Sequence, residues 1–357
     1  MKQILRIVIG LVFIASGFVK AVDPKGFSFK LEEYFEAGVF NIPQLIPLAL
    51  PLAIVISSVE VLLGLMLILR VRLKATLLTL TALCIFFAFL TFYSAYFNVV
   101  TDCGCFGDAV KFTPWQSFFK DLFLLIALII LWMLYRKEFA FEGNRRLKQL
   151  VLLSAALILA FVGFWGIRHE PLIDFRDYKI GTNIIEEKQK IAAVPSVYKT
   201  FYVLKNSKTG TEKKVNQDDY VADQSLWQEG SPWQILTDKT TSEMVKKGYQ
   251  SEISKFKITA TSGEDLTEKV LSSPQAFLIF SYKPSDLNAK QIEEAESKIL
   301  EKKGLKLGVS TSRNLFSKIQ NAEMDGTAIK TIARSNPFVL VLQNGKITDK
   351  KPLEDFK

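Results

Sequence analysis

Five apolar runs occupy the first half of this chain, and they limit what it can fold into more than any other feature. Ile4 to Val22, Leu45 to Leu69, Ala75 to Val100, Phe118 to Tyr135 and Leu147 to Ile167 each lie near the roughly 20 residues that a helix needs to cross the hydrocarbon core. A bilayer offers backbone N–H and C=O groups no water to bond, so each run is expected to be a helix. The chain has 357 residues, 49% of them apolar, and a net charge of +9. That charge does not form a basic stripe interleaved with aromatics. Much of it sits in short loops between apolar runs, where it acts as a topology signal. The bilayer is therefore the expected partner, and nucleic acid is not.

The loops give an orientation. Arg70, Arg72 and Lys74 join the second and third runs, and Arg136, Lys137, Arg145, Arg146 and Lys148 join the fourth and fifth. The other two loops carry Glu32, Glu33, Glu36, Asp102 and Asp108. The positive-inside rule then predicts a cytoplasmic amino terminus, with everything after residue 168 outside the cytoplasm. Val19-Lys20-Ala21 loosely fits a signal-peptide cleavage site, but Lys20 followed by Asp23-Pro24 suits a retained helix better. Phe27, Leu31, Tyr34 and Phe35 recur at helical spacing, which fits either a helix lying on the membrane or one capping the bundle.

Between the third and fourth runs, residues 101 to 108 read Thr-Asp-Cys-Gly-Cys-Phe-Gly-Asp and hold two of the three cysteines. Cysteines two apart can be bridged only on a tight turn, which Gly104 permits. So small a ring is strained, and strained, exposed disulfides tend to be oxidising and labile. The outward placement adds a compartment in which disulfides persist. Cys103 and Cys105 are thus a candidate catalytic pair, with Asp102, Gly104 and Asp108 as supporting neighbours. A structural clip or two free thiols is the plainer alternative. Lys20, near the outer end of its span, is expected beside this loop, where a cation favours a thiolate. By depth it is expected to be a poor partner for Glu60. Glu60 lies mid-span, as a proton relay or as a neutral carboxyl bonded to a neighbouring helix. Cys84 reads as an apolar filler. The single histidine, His169, argues against His-rich metal sites, and a set of Cys103, Cys105 and His169 gives only a thin case for a metal.

Gly10 to Pro24 (G-L-V-F-I-A-S-G-F-V-K-A-V-D-P), Glu60-x-x-x-Gly64 and Cys103-Gly-Cys-Phe-Gly-Asp108 together resemble the DoxX-like superfamily, and within it the methylamine-utilisation protein E (MauE) branch. The resemblance spans residues 1 to 135. It implies a four-helix bundle in the bacterial cytoplasmic (inner) membrane and a role in extracytoplasmic redox or protein maturation. It fixes no cofactor and leaves a quinone as a candidate electron acceptor. Residues 136 to 168 add a cytoplasmic loop and a fifth span.

Residues 169 to 251 read as a polar linker with a small β-rich region. Val197 to Leu204 and Thr211 to Val215 are expected strands about a Thr209-Gly210 turn, Trp227 and Trp233 are expected core, and Asp174, Arg176 and Asp177 are expected in solvent. Over residues 252 to 357, strands at Ala276 to Tyr282, Leu305 to Val309 and Phe338 to Leu342 alternate with a helix at Ala289 to Lys302 and short helices at Leu315 to Gln320 and Ala328 to Ile332. A turn at Asn344-Gly345 follows. Asn336-Pro337-Phe338 and that turn resemble the cis-proline segment and hairpin of thioredoxin-like domains. No cysteine follows residue 105, so the domain cannot exchange thiols by itself. Its implied role is to hold an extracytoplasmic protein partner in a groove at Asn336 and Pro337. The expected whole is an α-helical membrane bundle followed by an α/β thioredoxin-like domain. Its expected function is either CxC-based oxidoreduction, with a quinone as the candidate acceptor, or a non-enzymatic scaffold that recruits a partner.

Overall fold

The computed structural model describes residues 1–100, 104–139 and 145–357. The chain opens with α1 (Lys2–Val22), a short α2 (Pro24–Phe35), α3 (Ala49–Leu69), α4 (Leu73–Phe97), α5 (Pro114–Tyr135) and α6 (Arg145–Arg168). All of these except α2 lie in segments long and apolar enough to span a membrane. Local chemistry sets several of the starts. Thr113 and Gln116 form a reciprocal capping box with Pro114 in the first turn of α5, and Asp23 accepts from Gly26 N ahead of Pro24 in α2. Leu67, Leu77, Leu80, Leu128 and Leu131 fill the bundle core, whereas Leu153, Leu157 and Phe161 of α6 are exposed, as on a lipid-facing helix.

α1 and α3 cross at very close range. A Cβ on Gly64 would stand 2.7 Å from the Gly10 carbonyl, and one on Gly17 would stand 2.8 Å from Glu60 Cβ. Small residues permit this approach, the usual device of helix pairs that gain nothing from hydrophobic exclusion in lipid. At one end of the bundle Glu138 bonds both Lys2 and Arg70, bringing the amino terminus and both basic connections together. α2 and the CxC loop lie at the other end. Phe27 and Leu31 pack on Ala49 and Ala53, so α2 caps the bundle rather than floating on it.

The segment after α6 is not a solvated linker. Arg176 is buried and bonds Asp174 Oδ1 at 2.7 Å and Glu170 Oε2 at 2.8 Å, while Asp177 accepts from Ser251 Oγ and Glu252 N. α7 (Ile184–Ala193) follows, capped by Asn183. A three-stranded antiparallel sheet comes next, ordered β2-β1-β3, from β1 (Val197–Asn206), β2 (Glu212–Asn216) and β3 (Trp233–Lys246), with α8 (Gln217–Ala222) between β2 and β3. Trp227 is exposed rather than core, and Trp233 is only partly buried against Leu204, Val215 and Leu226.

The remaining elements are β4 (Thr259–Ala260), α9 (Thr267–Ser272), β5 (Ala276–Ser281), α10 (Ala289–Leu300), β6 (Leu305–Ser310), β7 (Gln320–Glu323), α11 (Gly326–Ile332), β8 (Phe338–Gln343) and β9 (Lys346–Pro352). They form one sheet ordered β4-β7-β6-β5-β8-β9, with β5, β6 and β7 parallel and the β4–β7, β5–β8 and β8–β9 pairs antiparallel. β5 is buried throughout, with Leu278 and Phe280 in one core and Phe277 and Ile279 in the other, as the strand's two-residue period requires. The expected helix at Leu315 to Gln320 is instead a loop running into β7. Asn321 Oδ1 accepts from Leu315 N and Phe316 N and so holds it in an irregular turn. The Asn336–Pro337 bond is cis, at the position the thioredoxin-like resemblance implies.

Candidate functional site

Ser16 and Lys20 lie one turn apart on α1, Glu60 faces them from α3, and Cys105 of the loop lies against them. Lys20 Nζ lies 2.6 Å from Glu60 Oε2, and both side chains are 2% exposed. The expected separation in depth is therefore wrong. Lys20 is near the end of α1, but Glu60 is only midway along α3, so α3 overhangs α1. That overhang carries Ala49 and Ala53, against which α2 packs. Lys20 is also a neighbour of the loop, though through an intermediary. Lys20 Nζ donates to Ser16 Oγ at 3.1 Å, and Ser16 Oγ lies 2.9 Å from the Cys105 carbonyl and 3.2 Å from Glu60 Oε2. A hydroxyl has one proton to donate, so Ser16 serves either the loop or the carboxylate at a given moment. The aromatic faces of Phe27 and Phe87, 5.3 and 5.0 Å from the ammonium, complete its surroundings.

Beneath Cys105 is a cavity of about 20 Å³ whose walls include Ser16, Lys20, Glu60, Cys84, Cys105 and Asp121. It has room for about one water. A quinone ring does not fit it. Lys120 and Asp121 form a second ion pair here, and Asp121 is buried within the apolar helix α5. Thr91 Oγ1 donates to Asp121 Oδ2 at 3.3 Å, and Cys84 Sγ donates to the Asp121 carbonyl at 3.2 Å. Sequence reading gave this pair no role, although charges inside an apolar run are themselves a signal. Cys84 packs in the bundle core with Leu80 and Leu124, as expected, and also borders the cavity beneath Cys105.

In the loop, Gly104 has φ +64°, a left-handed conformation that favours glycine. A Cβ there would also press to 3.0 Å on Lys30. Asp102 and Cys103 lie outside the described residues.

Residues 1–134 match the family model described as methylamine utilisation protein MauE. The MauE match thus covers α1 to α5 up to the last residue, with the CxC loop and the Lys20–Glu60 pair inside it. The chain is also similar to Protein TlpB of Flavobacterium psychrophilum, 26% identical over 144 residues. That alignment covers 37% of this chain and 36% of the relative, so the chain spans about a third of the relative's length. No solved structure matches.

The α/β unit is fastened to the MauE segment beside the loop. Arg334, buried at the end of α11, donates to Asp23 Oδ2 at 2.7 Å and to Asp108 Oδ2. Lys111 reaches Glu252 at 3.1 Å, and Phe29 of α2 packs edge-on to Tyr282 with centroids 5.6 Å apart. Glu170, just past α6, accepts from Arg334 N, Ser335 N and Ser335 Oγ as well as from Arg176. Burial pushes its carboxyl up, but Arg176 and Lys350 pull harder and leave it at about 2. Asn336 bonds Ser281 Oγ and the Lys283 carbonyl, and Pro337 is buried. Between the bundle and the α/β unit lies a cleft of about 480 Å³, walled by Phe27, Lys30, Gly104, Asp108, Lys330 and Arg334. His169 Nδ1 bonds Asp355 Oδ2 at 2.7 Å, and among the described residues no group of three or more His, Cys, Asp or Glu could hold a metal.

Proposed function

We propose that this is an inner-membrane thiol–disulfide exchanger whose working pair is Cys103 and Cys105, serving proteins on the extracytoplasmic side. A substrate thiolate attacks one sulfur of the Cys103–Cys105 disulfide and releases the other as a thiolate. The substrate's second thiol, once deprotonated, attacks the mixed disulfide. The substrate leaves oxidised, and two electrons and two protons stay on the CxC pair. Lys20, bonded through Ser16 to the Cys105 backbone, supplies positive charge that favours the departing thiolate, and the Lys20–Glu60 pair is a buried acid–base couple beside the loop. Substrate reaches the loop through the cleft beneath the α/β unit. The thioredoxin-like reading of that unit, without cysteines, makes it a positioning surface rather than a second redox centre.

One observation carries this reading. The Cys105 backbone is bonded directly to a hydroxyl that also bridges a buried ion pair, an arrangement a mere structural clip does not need. Cys103→Ala and Cys105→Ala, each tested for oxidation of a reduced dithiol peptide by native membranes, are expected to abolish exchange. Retained exchange in both contradicts the proposal. The scaffold alternative draws on the lack of cysteine beyond residue 105. It requires the double cysteine variant to keep full biological activity while deletion of residues 252 to 357 removes it.

A further inference from the structure

At the end of the bundle away from the CxC loop, Arg6 is a cation inside the first span, and among the described residues no carboxylate pairs with it. It is 8% exposed, and its guanidinium makes a long bond, Nη1 to the Leu67 carbonyl at 3.4 Å. Its Nε and the buried Tyr135 hydroxyl have no hydrogen-bond partner among the described residues. Two more cations stand over the same ring. The Lys2 ammonium and the Arg70 guanidinium each lie 5.3 Å from the Tyr135 centroid, and the Arg6 guanidinium lies 5.9 Å from it. Glu138 bonds both Lys2 and Arg70 and is the cluster's one carboxylate among the described residues. Three cations thus share one negative charge, where an intramembrane cation is costly unless it is paired.

The depth of the cluster selects the anion that completes it. Lys2 opens α1, Arg70 caps the end of α3 and Tyr135 ends α5, so the group sits where three spans leave the hydrocarbon, at the level of the headgroup phosphates. Lys2 and Arg70 form an open rim, with side chains 40% and 21% exposed, and Arg6 and Tyr135 form the floor. Deeper along α1, Ile4, Ile7 and Leu11 recur at helical spacing and are exposed, which leaves an apolar face for an acyl chain. A soluble anion has no use for that face.

We propose that Lys2, Arg6 and Arg70 bind the phosphate of one anionic phospholipid, at the end of the bundle that the positive-inside rule assigns to the cytoplasm. The phosphate oxygens accept from Lys2 and Arg70 at the rim, and Arg6 supplies the buried charge beneath. Glu138 holds the two rim cations together and cancels one charge of the three, which leaves an excess for a lipid of net negative charge. A zwitterionic lipid brings its own cation and gains less.

The test uses the full chain, purified in detergent and titrated with phosphatidylglycerol or with phosphatidylcholine of the same acyl chains. Bound lipid is counted by native mass spectrometry. The wild-type chain is expected to take up one phosphatidylglycerol in preference to phosphatidylcholine, a comparison that needs no variant to fold. Arg6→Gln and Arg70→Gln are each expected to weaken that binding about fivefold, the worth of one basic residue near an anionic surface. Arg146→Gln, which removes an exposed charge at the start of α6, is expected to leave it unchanged. Equal uptake of the two lipids by the wild-type chain overturns the proposal, and so does a preference that survives in both cluster variants. Release of the bound lipid by inorganic phosphate alone overturns a lipid as the ligand, because a headgroup held by its acyl chains outcompetes the free anion.

Discussion

Lys20 and Glu60 show what a buried pair demands. Each is desolvated to the same degree, and each is the other's closest ionic partner. Removing one partner of such a pair strands the other charge and costs about 3–5 kcal/mol, whereas replacing both with apolar side chains can be neutral. Lys20→Met and Glu60→Gln are therefore expected to lower the melting temperature in detergent. The double variant Lys20→Met/Glu60→Leu is expected to recover most of the loss while remaining defective in exchange. Equal destabilisation by the double variant would show that the pair is not the stabilising unit. Gly17 guards the same contact. Gly17→Leu puts a side chain where Glu60 Cβ already stands and is expected to separate Glu60 from Lys20, read as loss of melting temperature and of exchange together. The pair's residues were all legible as a Ser-Gly-x-x-Lys motif and a mid-span carboxylate. Their contact was not, because hydropathy marks where spans lie but not how far one helix overhangs its neighbour.

α6 gains its purpose at the scale of elements. It carries the chain to Glu170, whose carboxylate holds the segment between α11 and β8, and Arg334 of that segment grips Asp23 and Asp108. Arg334→Met is expected to free the α/β unit from the bundle without unfolding its sheet. Hydrogen exchange should then rise at residues 23–26 and 104–108 while β5 and β8 stay protected. Unchanged exchange at both segments would show that Arg334 does not hold the interface. Acid should loosen the same contact. The folded-state value of Glu170 lies below its unfolded one, so its stabilisation, about 3 kcal/mol, is present above roughly pH 4 and lost as pH falls towards 2. Glu170→Gln is expected to flatten that acid limb in a pH series of melting temperatures. Five spans and most of the large sheet were readable, since long apolar runs and alternating buried strands are strong signals. β3 and β7 were not, since most of their residues are polar and at least partly exposed. Arg176 was read as solvated because a short acidic run around an arginine has the same composition in solvent as in a buried network.

For the whole molecule, a membrane bundle holds a CxC loop at one end, over a buried acid–base cluster, and a cysteine-free α/β unit fastened above that loop leaves a cleft as the approach. Each part has its own structural reason, and the proposed thiol–disulfide exchange gives the CxC pair, the Lys20–Ser16–Glu60 cluster and the cleft a common use. The potential of the pair tests that use most directly. Membranes carrying the wild-type chain are equilibrated against a glutathione redox series, trapped and mapped for Cys103 and Cys105. The expected result is a reversible transition near that of a disulfide isomerase, about −180 mV. A pair that stays reduced throughout, or a disulfide that survives below about −300 mV as structural ones do, would contradict it.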